Sequence, residues 1–553
     1  MRLSVSGQIL APLVYGIAAI ALGLSFFSAW QIRAALPNEP LSWPDSLSYL
    51  SPGIVYESTG IWVASVRQFL YPLFLYAIAH LSGKSSTIAS VQHWAALLSG
   101  LVLLVAWLVL LNPIRPFRLL HAVCSALGVV LVCVMWHSPV LLLYECYIMP
   151  EIFFLVGSSV ELLLIALLAW ELARPVIRPL PYGIVLAALI ILSVGLYYIM
   201  PRWGLSATIM PAVALLASWF RRYPLKTILV PAALGCMVAF VLFPLPEALL
   251  RKHATPNSPY FMQMHLFAIH ANIISRELQL EGSNPASHFD PVLLRRCDEA
   301  IQRELQRSRA NPTSNFPWPT LGFRPDMLIY EDDSVISIVA KYYTGDGVAA
   351  ARFFTHFYQA AWLHQPYAML SKVSNELRTS YYSSPSRGFA LSRYEYPLLQ
   401  FVQESLTVAR EPGRASMLQQ SVVWKNYDKH LAEISSGGRM EHTPAGLFIE
   451  RGFGLFFLPL VLLVLVLTAV ATFIQRRSAE PAPELLVCLV TVCWLLPAAG
   501  SNLTVSIIHS IWHQRYLETN FVLSLTNGFA LVAAALVCAT IWIGRLTSKK
   551  TAT

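Results

Sequence analysis

Asp45 and Arg67 are the first residues in the chain whose side chains could act together, a carboxylate that can take a proton and a guanidinium that can hold a phosphate. They lie in one polar stretch, NEPLSWPDSLSYLSPGIVYESTGIWVASVRQFLYPLFL, with Tyr49 between them and Tyr71–Pro72 just beyond. Two further acids, Glu145 and Glu151, bracket a second polar break, ECYIMPE, and Arg202 stands in a third, YYIMPRWGL. Near the C-terminus His509 and His513 are four residues apart, on one face of a helix, and Arg515 follows. A His pair at that spacing can ligate metal, but no third ligand lies nearby, so a lipid-facing or carrier-contacting role with Arg515 is the better reading.

Each of these residues has a plainer reading. Asp45 follows Ser42 by three positions, an ordinary helix-start pattern. Arg67 and Arg202 could be interface anchors that keep their charged heads in water. Glu161 lies about ten residues into an apolar run, where an ionisable group is costly and suggests function by default, and it reads equally as a proton-relay residue or a neutral structural acid. His253, His265 and His270 read as solvated or core histidines.

The elements that position these groups must sit in lipid. Of 553 residues, 56% are hydrophobic and 12% charged, against about 25% charged in soluble domains. Apolar runs long enough to span a bilayer lie near 8–30, 90–111, 119–136, 152–171, 181–199, 204–220, 227–245, 452–474, 485–500 and 521–543. The first resembles a signal peptide but has no clear cleavage site, and reads as an uncleaved span. The short stretch 68–83, interrupted by Pro72, reads as an amphipathic or re-entrant surface helix. With that assignment Arg2, Arg115, Arg118, Arg174, Arg178, Arg221, Arg222, Lys226, Arg476, Arg477, Arg545, Lys549 and Lys550 share one side. The bias of basic residues toward the cytoplasm then puts both termini there.

The block 246–450 carries 20 basic and 20 acidic residues, so the whole net charge of +9 belongs to the membrane part. Basic excess beside apolar segments is an orientation signal, not the footprint of a nucleic-acid binder. Within the block, 261–280, 290–309, 347–378 and 416–435 have helical periodicity, with Pro- and Ser-rich connectors between them. Of the eight cysteines only Cys297 lies in the polar block's helices, and no spacing forms a zinc set. No Gly-rich phosphate loop, Walker pattern or GxSxG elbow occurs, which disfavours nucleotide-driven pumps and serine hydrolases.

The layout predicts an all-α polytopic membrane protein with about ten transmembrane helices. Its expected parts are an N-terminal membrane module (1–245) with a first outer loop (31–89), a helical extracytoplasmic domain (246–450) and C-terminal membrane helices (451–553). This arrangement of a first span, an early acid, a later basic residue and a Pro-bearing juxtamembrane helix resembles the GT-C membrane glycosyltransferases. That superfamily includes protein O-mannosyltransferases and lipid A aminoarabinose transferases, which use polyprenyl-phosphate sugars. Asp45 resembles the family's catalytic aspartate, Arg67 with Tyr71–Pro72 its boundary stretch, and Glu151 its second acid, with Glu145 as substitute. Arg202 resembles an arginine near the outer mouth of later spans, and Arg515–Tyr516 is a looser match. Asp45 is followed by Ser46 where some members carry a second acid, and the polar block lies before the last three spans instead of at the C-terminus.

The resemblance implies an inner-membrane enzyme that moves a sugar from a polyprenyl-phosphate donor to a cell-envelope glycan or lipid, with inversion. Asp45 would be the base, and Arg67, Arg202 and Arg515 would hold the donor phosphate. Tyr49, Tyr71, Glu145, His509 and His513 would line the pocket, and Glu151 would orient the acceptor or help hold a divalent ion, Mg²⁺ or Mn²⁺. The alternatives are a polysaccharide polymerase or ligase and a non-enzymatic transporter that uses Glu161.

Overall fold

The computed structural model describes residues 5–63, 67–174, 176–220, 223–251, 261–312, 320–344, 346–382, 398–434, 444–475, 482–509 and 514–550. Among them every regular element is helical, and the one β-bridge joins Leu41 to Tyr147. Among the described residues nine helices are long and apolar enough to cross a membrane. The expected span 204–220 forms a helix with those bounds, Gly204–Phe220, whose 17 residues, with Pro211 inside, lie at the lower end of the ~17–25 that a crossing takes. The stretch 68–83 forms α3, Leu70–Ser82, whose 13 residues are too few.

The chain divides into two compact units. The first comprises Met1–His253, Ser384–Ser501 and Glu518–Thr553. Its N-terminal helices are α1 (Val5–Ala34), α2 (Ser46–Thr59), α3, α4 (Ser86–Leu111), α5 (Arg118–Trp136), α6 (Pro139–Cys146), α7 (Glu151–Ala173) and α8 (Pro179–Ile199). The helices α9 (Gly204–Phe220), α10 (Leu225–Leu242) and α11 (Pro244–Arg251) follow.

Hydrophobic burial gives little drive between helices in lipid, so close backbone approach and hydrogen bonds must lock them together. The α4–α5 pair does this reciprocally. Trp136 of α5 lies over Gly100 of α4 and donates to the Leu97 carbonyl at 3.2 Å, while Trp107 of α4 lies over Gly128 of α5 and donates to the Cys124 carbonyl at 2.8 Å. Farther along, Trp494 donates to the Leu162 carbonyl of α7 at 3.0 Å, and Ser206 of α9 donates to the Pro497 carbonyl at 2.7 Å.

The second unit comprises Ala254–Ser383 and Asn502–Leu517. Its helices are α12 (Phe261–Ile269), α13 (Ala271–Gly282), α14 (Pro291–Ala310), α15 (Pro325–Tyr330), α16 (Val335–Tyr342), α17 (Gly347–His364) and α18 (Pro366–Tyr382), around an aromatic core that includes Phe267, Phe353, Phe354 and Phe357. Asp290, Ser334 and Asp346 accept backbone N–H groups at the starts of α14, α16 and α17, the usual way of satisfying orphan donors there. Three expected continuous helices are broken; the stretch 416–435 is helical only as far as Leu418 and again over Tyr427–Glu433, with turns between. The stretch 261–280 breaks at His270, whose ring bonds the Leu266 carbonyl at 2.7 Å while its N–H turns to Phe267. The stretch 347–378 breaks at Gln365, because Pro366 disfavours helical backbone in the residue before it.

The last part of the block 246–450 groups with the first unit. It forms α19 (Leu398–Arg410), α20 (Pro412–Leu418) and α21 (Tyr427–Glu433). The helices α22 (Pro444–Gln475), α23 (Pro483–Ile508) and α24 (Gln514–Lys550) complete the chain.

Candidate active site

The first polar loop is built in from both sides. Leu41 donates to the Cys146 carbonyl at 2.6 Å and accepts from the Ile148 N–H at 2.9 Å, which fixes it beside the loop 147–150. Tyr427 of α21 shares a hydrogen bond with the Ser42 hydroxyl at 2.9 Å and donates to the Pro40 carbonyl, and Ser405 of α19 donates to the Ser42 carbonyl at 3.0 Å. Ser46 accepts the Trp43 N–H at 2.8 Å and donates to the Ile148 carbonyl at 3.1 Å. The start of α2 is thereby held against the start of α7.

Asp45 precedes α2, but its side chain makes no capping bond. The helix-start reading therefore does not explain the carboxylate. It pairs instead with Arg67, Oδ1 to Nη2 at 2.8 Å, and Arg67 Nε donates to the Ser48 hydroxyl at 2.8 Å. The same guanidinium lies 4.9 Å from the centre of the Tyr49 ring, within cation–π range. Tyr49 meets Tyr71 edge to face at 5.1 Å, and Tyr71 lies 6.0 Å from Phe153 in the first turn of α7. Tyr49 and Tyr71 are buried, while the side chains of Asp45 and Arg67 keep 39% and 24% of their surface exposed. Both charged groups can thus meet a ligand, and Arg67 rests on a buried aromatic ring.

The end of α8 joins the same region. Phe69 packs against Tyr198 at 6.3 Å, and the Phe69 N–H donates to Glu247 of α11 at 2.8 Å. Arg202 is buried, with Nε 2.8 Å from the Met200 sulfur. Its neighbour Trp203 packs edge to face on Phe154 at 4.6 Å, one helical turn from Glu151. Glu151 itself is buried as the first residue of α7. Asp45, Tyr49, Arg67 and Tyr71 therefore form one contact chain, and Glu151 and Arg202 lie on the elements that border it.

Glu145 has a different position from the one expected. Its carboxylate is wholly buried and holds Arg33 through two bonds, at 2.5 and 2.7 Å, with His93 Nδ1 at 2.9 Å. Arg33 also donates to the carbonyls of Ala29 and Trp136. Beside it Gln92 donates to the carbonyls of Glu145 and Tyr147 at 2.8 and 2.7 Å and accepts from the Tyr71 hydroxyl at 3.4 Å. This network pins the loop that carries Ile148 to α1 and α4. The signal that could have found it is local: Arg33 ends an apolar run, and Gln92–His93 interrupt another.

His509 belongs to the second unit, where its carbonyl accepts from Lys372. His513 lies outside the described residues, as does the side chain of Arg515. Among the described residues no group of three or more His, Cys, Asp or Glu side chains is arranged to hold a metal ion, and no step below runs through one. Glu161 is fully buried in α7 and accepts the Ser193 hydroxyl of α8 at 2.9 Å. Protein-family models, curated proteins and solved structures give no match to this chain.

Proposed function

We propose that this protein is a membrane glycosyltransferase of GT-C type, which transfers a sugar from a polyprenyl-phosphate carrier to a hydroxyl of an envelope glycan or lipid at the cell's outer face. The observation that carries the reading is the half-exposed Asp45–Arg67 pair, set on Tyr49 and held by a polar network into the membrane helices. An exposed ion pair contributes only about 0–1 kcal/mol to stability, so stability alone gives little reason for the arrangement.

In the proposed reaction the phosphate of the donor meets the Arg67 guanidinium, whose fork of donors suits phosphate oxygens and releases Asp45 from its partner. The acceptor hydroxyl oxygen attacks the anomeric carbon, and its proton passes to the Asp45 carboxylate. The bond from the anomeric carbon to the phosphate oxygen breaks, and the electron pair leaves with the polyprenyl phosphate. Attack opposite the leaving group inverts the anomeric configuration. Arg202, on a neighbouring element, adds positive charge as the phosphate departs, and Glu151 orients the acceptor.

Replacing Asp45 with Asn keeps the shape and removes the base. The D45N variant should insert and fold normally yet lose at least about a hundredfold in transfer, the lower range of general-base catalysis. Radiolabelled donor in proteoliposomes measures this, and wild-type rates in D45N would remove Asp45 from the reaction. Product length on a gel separates transfer of one sugar from joining of preassembled chains.

A further inference from the structure

The second unit has an open, shallow groove of about 440 Å³ between Phe289 and one face of α17. Arg352, His356 and Gln359 stand on that face at helical spacing, all three exposed, with Thr355 and Val348 beside them. None of the three polar groups is hydrogen-bonded or ion-paired to another described residue. Among the described residues no acidic side chain lines the groove.

Its aromatic wall is fixed in place. The Phe289 ring packs 4.9 Å from His356, 5.3 Å from Phe357 and 5.5 Å from Phe353, and the latter two belong to the core of the unit. The Phe289 N–H is held by Ser287 at 3.1 Å, and the next residue, Asp290, accepts the Val292 N–H at 2.8 Å at the start of α14. A half-buried ring beside an unpaired guanidinium, an imidazole and an amide suits a ligand with an apolar face, several hydroxyls and a negative charge.

We infer that this groove binds an anionic saccharide, one whose sugar rings carry carboxylates. Arg352 takes a carboxylate with paired N–H donors. His356 and Gln359 bond ring hydroxyls, and Phe289 covers the C–H face of a sugar. This binding does not depend on the transferase reading above.

The test uses the full chain in nanodiscs and two probes of equal length, trigalacturonate and the neutral maltotriose, titrated by calorimetry without any donor. Trigalacturonate should bind at least about tenfold more tightly than maltotriose, and more weakly as salt is added, since screening weakens exposed charge contacts. Arg352→Gln should remove that preference, and Phe289→Leu should weaken both sugars. Because Arg352 is exposed, its replacement should leave the melting temperature unchanged. Equal affinity of wild type and R352Q for trigalacturonate, or binding of neither sugar, overturns the inference. The D45N variant should bind trigalacturonate like wild type. A groove that binds in a protein that transfers nothing leaves this inference standing and sinks the transferase reading.

Discussion

At the scale of single residues, two of the chain's Arg–carboxylate pairs, Arg33–Glu145 and Asp45–Arg67, have opposite energetics. Arg33–Glu145 is buried, and removing one partner leaves an uncompensated charge, which typically costs about 3–5 kcal/mol. Glu145→Ala should therefore lower thermal stability sharply, whereas Arg33→Met combined with Glu145→Leu should recover much of it. Asp45→Ala, at the exposed pair, should change stability by no more than about 1 kcal/mol. Unfolding curves in detergent distinguish these outcomes, and a mild E145A phenotype would contradict the structural role given to Glu145. The sequence made Asp45 and Arg67 visible because both lie in a polar loop between apolar runs. It could not distinguish Glu145 from Glu151, because burial depends on which helix each carboxylate meets.

At the scale of elements, the α4–α5 lock leaves no room for a side chain at its glycines. A Cβ at Gly128 would lie 2.3 Å from Trp107 Cδ1, and one at Gly100 would lie 2.4 Å from Trp136 Nε1. Gly128→Ala should cost about 1–3 kcal/mol by overpacking, read as a lowered melting temperature. In the second unit Lys372 donates to the Ser506 carbonyl at 2.6 Å and to the His509 carbonyl, at the end of α23. His270 and Glu376 also face this lysine, and burial lowers its pKa from 10.5 to about 8. Between those values the unfolded chain binds the proton and the folded chain does not, so stability should rise as pH climbs from about 8 toward 10.5. Lys372→Met should remove that rise. An unchanged pH slope in K372M would show that another group is responsible. Helical periodicity made α14 legible, but it could not show the break at His270, where a side chain takes over a backbone hydrogen bond.

At the scale of the whole molecule, an all-α, membrane-embedded fold was readable from the length and number of the apolar runs alone. Two details were not. The polar block is divided, with 398–434 grouped with the first unit. Ser405 and Tyr427 of that portion reach the first loop, more than 350 positions away in sequence. Contacts at such separation leave no periodic trace, so no local pattern could predict them. The account stands on Arg67 and Asp45 having different tasks, one holding the donor's phosphate and the other taking the acceptor's proton. The most direct test is the affinity for polyprenyl phosphate of wild-type, R67A and D45N protein in nanodiscs, measured by native mass spectrometry. Binding that is strong in the wild type, kept in D45N and reduced at least about tenfold in R67A is the predicted result. Equal binding by R67A and wild type, or no binding by the wild type, would contradict it.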